Sequence, residues 1–149
     1  MLLKGMAREQ IIQPYPATGR RRSESKEPLR VFLVEDNVDI VELLTTACEE
    51  IDDVLVVGWS ASAKDAIERI AVSEPDVVLI DNQLRSGSGI DVIRAIRLMD
   101  PVPRPLLLAM SNALNRAVRE GSLAAGADEY FDKTIDYGKL LTRIAALAR

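Results

Sequence analysis

The sequence predicts an α/β fold, a doubly wound sheet of five parallel strands, and three observations carry the prediction. From Leu29 onward, short apolar runs alternate five times with stretches of helical periodicity, the pattern of a sheet built from successive strand–helix units. The third run, Asp76 to Ile80, is continuously apolar after its first residue, as expected of a central strand covered on both faces. With 149 residues, 48% of them apolar and 28% charged, the chain has the length and composition of one domain with its own core.

Each element has a local reason. The first strand is expected over residues 30–34. Asn37 is placed to cap a first helix, with Asp39 in its first turn and Ile40, Leu44, Ala47, Cys48 and Ile51 along one face. A second strand is expected over residues 54–57. Ser62 followed three residues later by Asp65 starts a second helix, whose inner face is Ala66, Ile67, Ile70 and Ala71 and which Pro75 stops. After the third strand, a helix is expected over residues 89–99. Pro101, Pro103 and Pro105 then precede a fourth strand over residues 106–110. A weakly patterned fourth helix ends before Gly126, a short fifth strand spans residues 129–131, and a last helix from Asp136 buries Leu140, Leu141, Ile144 and Leu147.

Composition excludes several classes of function. No apolar run approaches the roughly 20 residues of a membrane span, and Lys4 and Gly5 break up the first six residues, so neither a membrane protein nor a secretory signal is expected. The single cysteine, Cys48, allows no internal disulfide and no thiolate zinc cage, in keeping with a reducing cytoplasm. Histidine is absent, which removes Ser-His-Asp triads, histidine–metal sites and phosphohistidine chemistry on this chain. Residues 1–30 carry a net charge of +4 and the remainder −8. The first 28 residues lack periodicity and are rich in Pro, Arg, Ser and Gly, so they read as a basic flexible tail followed by one domain over residues 29–149. The run Arg20-Arg21-Arg22 receives no function.

The polar residues fall at the strand ends. Glu35 and Asp36 follow the first strand, Asp81 the third, Ser111 the fourth, and Lys133 lies just past the fifth. In an open parallel sheet these ends converge on one crevice. Three carboxylates gathered there repel by about 4 kcal/mol per pair at ~4 Å and an effective dielectric of 20, so the site calls for a cation. All-oxygen ligation suits Mg²⁺, or Mn²⁺, better than zinc. With its charge offset, one carboxylate is free to attack phosphorus and form an acyl phosphate. Asp81, on the most central strand, is the best placed. Lys133 would pair with it before the reaction and with the phosphoryl group afterwards, and the Ser111 hydroxyl would donate to a phosphoryl oxygen. Drawing a hydroxyl toward a new dianion also makes a switch.

The stretches Val31 to Asn37, Pro75 to Asp81 with Leu84 and Gly89 downstream, and Gly126 to Lys133 resemble the receiver domain of two-component response regulators, over about residues 29–149. The resemblance implies a flavodoxin-like (βα)5 fold with strand order 2-1-3-4-5. It implies Asp81 as phosphoacceptor, Mg²⁺ bound by Asp36, Asp81 and the backbone carbonyl of Gln83, and Glu35 acting through metal-bound water. Ser111 takes the place of the switch hydroxyl, Lys133 of the family's lysine, and Tyr130 of the aromatic that swings inward on activation. The implied phosphodonor is a phosphohistidine on a sensor histidine kinase or phosphotransfer protein in the cytoplasm. The implied output face is helix four, strand five and helix five, which also offers a surface for a homodimer. No helix-turn-helix follows the last helix, so no direct DNA contact by this chain is expected; a stand-alone regulator and a piece of a longer one both remain open.

Three positions depart from the family pattern. Arg85 replaces a common proline, which predicts a less rigid loop after strand three. Thr134 replaces the proline that follows the lysine through a cis bond; cis before a non-proline costs about 2.5–4 kcal/mol, so this loop is trans or strained. Asn112 is larger than the usual Ala or Gly and is expected to crowd or hydrogen-bond near the phosphate. Tyr130 has a plain alternative as a packing residue at the end of an edge strand. Gly87-Ser88-Gly89 lacks the lysine and serine of a phosphate-binding loop. Rival functions are a haloacid-dehalogenase-type phosphatase, which wants an Asp where Gln83 stands, a flavodoxin-like cofactor carrier, whose phosphate loop would follow strand one where Glu35 and Asp36 would repel a phosphate, and a receiver-fold interaction module working without phosphorylation.

Overall fold

A computed structural model describes residues 27–112 and 116–149. The elements alternate without exception: β1 (Leu29–Val34), α1 (Val38–Glu49), β2 (Val54–Ser60), α2 (Ala63–Ser73), β3 (Val77–Asp81), α3 (Gly89–Met99), β4 (Leu106–Ser111), α4 (Arg116–Ala125), β5 (Glu129–Asp132) and α5 (Tyr137–Ala148). All strand pairs are parallel, and the order across the sheet is β2-β1-β3-β4-β5, as expected from the sequence. The tail predicted over residues 1–28 lies outside the described residues as far as residue 26.

The period of two along each strand sorts the core into two layers. Val31 and Leu33, Val77 and Leu79, and Leu106, Leu108 and Met110 face one layer, where α1 and α5 supply Leu44, Cys48, Leu140 and Ile144. The intervening Phe32 and Val34, Val78 and Ile80, and Leu107 and Ala109 face the other, against Ile70 of α2 and Val92, Ile93 and Ile96 of α3. Every residue of β3 is buried, the double coverage that its apolar run predicted.

Capping follows the sequence closely. The Asn37 side chain accepts from the N–H groups of Asp39 and Ile40, and that of Ser62 from Asp65. Ser88 and Asp91 form a reciprocal capping box on α3. Three predictions need correction. Helix α5 buries Leu140, Ile144 and Ala148, while Leu141 and Leu147 are only half-buried. Ala71 is exposed and Ala63 is buried instead, because α2 rests on the sheet through Ala63, Ala66 and Ile70. Strand β2 continues past Val57 to Ser60: the register steps from Val31↔Val56 to Phe32↔Gly58. The extra residue, Val57, is a bulge that brings Gly58–Ser60 back alongside β1.

The loop after β3, which Arg85 leaves without a proline, is tied to the start of α2. The Arg85 N–H donates to the Ala61 carbonyl (3.3 Å) and the Ala63 N–H to the Ser86 carbonyl (2.9 Å), so the start of α2 holds the loop that a proline would otherwise stiffen. Gly89 closes it. A Cβ there would lie 2.3 Å from the Asp81 carbonyl oxygen, and this close approach lets α3 begin directly over the end of β3.

Candidate functional site

The carboxyl edge of the sheet gathers what the strand ends promised. Glu35, Asp36 and Asp81 each offer a carboxylate oxygen, and these oxygens lie within 4.8 Å of one another. Lys133 Nζ stands 2.6 Å from Glu35 Oε1 and 3.5 Å from Asp81 Oδ2. The strand alternation explains who meets whom. Glu35 continues the parity of Val31 and Leu33, Asp81 that of Val77 and Leu79, and Lys133 that of Phe131. All three therefore lean toward the α1/α5 layer. By the same rule Ser111 and Tyr130 belong to the opposite layer, and Tyr130 packs, partly buried, against the core beneath α2 and α3.

Burial sets the electrostatics. Glu35 is 1% exposed and Asp81 6%; Asp36 is half-buried. Desolvation pushes the Asp81 carboxyl up from its ordinary 3.8 to about 6; Lys133 opposes the rise, the Glu35 charge adds to it, and a hydrogen bond from the Gln83 N–H lowers it again. Glu35 is held in place by the Asn37 N–H, which donates to Oε2 at 3.2 Å, and by its own N–H donating to the Ser60 carbonyl at 2.9 Å. One ammonium against three carboxylates leaves the cluster short of positive charge. A compact, oxygen-only donor set of this kind fits Mg²⁺.

The remaining expected residues fall around this centre. Gln83 is exposed at the start of the β3–α3 loop, and its neighbour Asn82 donates its N–H to the Met110 carbonyl (3.0 Å). Ser111 is buried at the end of β4, and its carbonyl accepts the Lys133 N–H at 2.8 Å, so the hydroxyl-bearing strand and the lysine are joined by backbone. Asn112 is exposed and lines, with Leu43, Lys133 and Tyr137, an apolar cavity of about 200 Å³ between α1 and α5. Among the described residues only Val102–Pro103 is cis, so the Lys133–Thr134 bond is trans.

Sequence reasoning missed Asp132. Its Oδ1 accepts from the Thr134 N–H (2.8 Å), the Thr134 hydroxyl (2.5 Å) and the Ile135 N–H (3.1 Å). These bonds, the Thr134 hydroxyl first among them, hold the Asp132 carboxyl below the usual carboxylate range. The signal was present: an Asp with a Thr two residues on is a turn in which a side chain replaces a backbone acceptor. Thr134 was read only as a missing proline.

Comparison with known proteins agrees with this geometry. A family model described as "Response regulator receiver domain" matches residues 31–145. The chain is 31% identical over 121 residues to the DNA-binding response regulator MtrA of Mycobacterium tuberculosis, covering 80% of this chain and 50% of that protein. It is 34% identical to the transcriptional regulatory protein CutR of Streptomyces coelicolor, covering 81% and 54%. It thus spans about half the length of these relatives. Among solved structures, a LuxR-family two-component response regulator from Aurantimonas sp. superposes with a TM-score of 0.74 at 27% identity, covering 82% of this chain and 86% of that one. Fold, strand-end chemistry and sequence relatives converge on one assignment: the chain belongs to the response regulator receiver domain family.

Proposed function

We propose that this receiver accepts a phosphoryl group on Asp81 from a phosphohistidine of a sensor kinase or phosphotransfer protein. The observation that carries the reading is the shared lysine: one buried ammonium lies between Glu35 and Asp81, at the sheet edge where Asp36 completes an acidic cluster. An Asp81 carboxylate oxygen bonds to phosphorus as the donor's P–N bond breaks, and the electron pair leaves with the imidazole nitrogen, which takes up a proton. Lys133, 3.5 Å from Asp81 Oδ2, would follow the phosphoryl oxygens. The Ser111 hydroxyl would donate to one of them, and Tyr130, on the same face of the sheet, would follow that movement. Asp36, Asp81 and the Gln83 carbonyl would hold Mg²⁺, with Glu35 behind them, and the bound ion supplies the positive charge that offsets carboxylates and phosphoryl group alike.

A protein donor suits the rim. Val38, Leu43 and Ile135 are exposed apolar residues flanking the site, a surface more fitted to a partner's helix than to a small substrate. The output face would be α4, β5 and α5, where Glu129, Phe131, Lys139 and Arg143 line a broad concavity suited to a partner or a second copy. No described helix is long and apolar enough to cross a membrane, and a cytoplasmic location belongs to this reading. Labelling with acetyl phosphate and Mg²⁺ tests it: wild type takes up phosphate and Asp81→Asn does not. Label on both, or on neither, would remove Asp81 as acceptor, and the second outcome would favour a receiver that signals by binding alone.

A further inference from the structure

The reach of Lys133 depends on how its backbone is fixed, and the structure fixes it from both sides. Behind it, its N–H donates to the Ser111 carbonyl at 2.8 Å. Ahead of it, the chain would be free to turn away were it not gripped by the residue just before it. The buried Asp132 places one carboxylate oxygen on three donors of Thr134 and Ile135. A second clasp closes over the first: the Asp132 N–H donates to Asp136 Oδ2 at 3.0 Å, and the Asp136 N–H returns to the Asp132 carbonyl at 2.8 Å. Lys133 is the one residue inside both loops of this knot that sends its side chain to the acidic cluster.

We propose that Asp132 is a positioning residue for phosphoryl acceptance, holding Lys133 over Glu35 and Asp81 by clasping Thr134 and Ile135 while touching no reactant itself. A lysine side chain loses most of its rotamer freedom when it is held in one place. A backbone set in advance leaves only the side chain to order. Thr134 is then a working part: it brings two of the three donors that a proline at this position would lack, since proline has neither an N–H nor a hydroxyl. All three bonds fall on Oδ1 of Asp132, so this carboxylate oxygen is committed to the loop that follows Lys133.

The proposal rests on the reading of Asp81 as acceptor, and the experiment separates the two. Acetyl phosphate labelling with Mg²⁺ is measured on wild type, Asp132→Ala, Lys133→Ala and the double variant, with Asp132→Asn and Thr134→Val as milder changes and urea unfolding as a control for folding. Displacing an aligned group by about 1 Å is worth up to about 10²-fold in rate, so Asp132→Ala is expected to slow labelling by about 10- to 100-fold. Asp132→Asn, which keeps the acceptor oxygen, should stay within about threefold of wild type. In the Lys133→Ala background the Asp132 change should add nothing, because its effect runs through the lysine. Equal slowing with and without Lys133, or no slowing at all, overturns the proposal. If wild type takes no label, the acceptor reading fails and a second measurement still decides this one. Reductive methylation followed by peptide mapping should modify Lys133 at least about fivefold faster in Asp132→Ala, with exposed Lys64 unchanged. An unchanged Lys133 rate overturns the positioning role.

Discussion

Replacing Asp81 by Asn should stabilise the ion-free protein at neutral pH while abolishing its chemistry. The carboxyl is buried beside Glu35, and its midpoint rises from 3.8 to about 6. At 1.36 kcal/mol per pH unit, a shift of that size sets the cost of ionising Asp81 in the fold at about 3 kcal/mol. The sign follows from proton linkage. Between pH 4 and 6 the folded state holds a proton that the unfolded chain has released, so stability falls as pH rises through that window. Above pH 6 the whole penalty is present in wild type and absent in Asp81→Asn. The amide keeps a desolvated polar group whose hydrogen bonds are less well matched to the site, so a gain of about 1–2 kcal/mol, roughly 4–8 °C in Tm, is expected at pH 7.5 in EDTA. Near pH 4 the two proteins should unfold together. Millimolar Mg²⁺ should raise wild type and leave the variant nearly unmoved, since an ion bound only by the folded state stabilises in proportion to ln(1 + [L]/Kd). Thermal unfolding across pH 4–8, with and without Mg²⁺, reads all three. A variant less stable than wild type at pH 7.5 in EDTA would refute the claim that the site is strained by its own charge.

Three further changes probe the same geometry. Lys133→Met leaves Glu35 buried without its ammonium, and a broken buried pair costs about 3–5 kcal/mol; urea unfolding at pH 8 should show most of this. Gly89→Ala gains about 1 kcal/mol of helix propensity but sets a methyl 2.3 Å from the Asp81 carbonyl oxygen. The clash should win by about 2 kcal/mol or more, visible as a net loss in urea unfolding and as weaker Mg²⁺ binding by calorimetry. Asp36→Asn removes one of three clustered carboxylates from a residue that is only half-buried, so Mg²⁺ affinity should fall at least about tenfold while the metal-free Tm moves by no more than a few degrees.

Most of the fold was legible because two periodicities and a few caps were written plainly. The uninterrupted apolar run before Asp81 identified a central strand, and Asn37, Ser62 and Asp65 marked helix starts that the structure keeps. What escaped depends on pairing between distant residues. The extension of β2 rests on a bulge at Val57 that only the register against Phe32 reveals. The ties of the β3–α3 loop are hydrogen bonds to Ala61 and Ala63, some twenty residues away. Helix α4 was faint for a physical reason: Ser122 alone is fully buried in it, with Leu123 and Ala125 partly covered, so there is little apolar face to read.

That faintness bears on function. Parity sends Glu35, Asp81 and Lys133 toward the α1/α5 layer and Ser111 and Tyr130 toward the layer that α4 helps to cover, so on the proposed reading acceptor and switch residues would sit on opposite faces of one sheet. A phosphoryl group on Asp81 can reach the far face only where the strands end, and Ser111 is buried there at the end of β4 with the start of α4 just beyond it in the chain. A helix anchored by a broad apolar stripe would resist the small shift of one hydroxyl; α4, with one fully buried residue, offers much less resistance. Its far end is held differently. Gly126, just past α4, gives its carbonyl to Arg97 Nε at 2.9 Å, and Arg97 also pairs with Asp128 at 2.7 Å. On the proposed reading, a helix pinned at its carboxyl end and with one fully buried residue along its length would yield first at its amino end, the end that follows Ser111 in the chain.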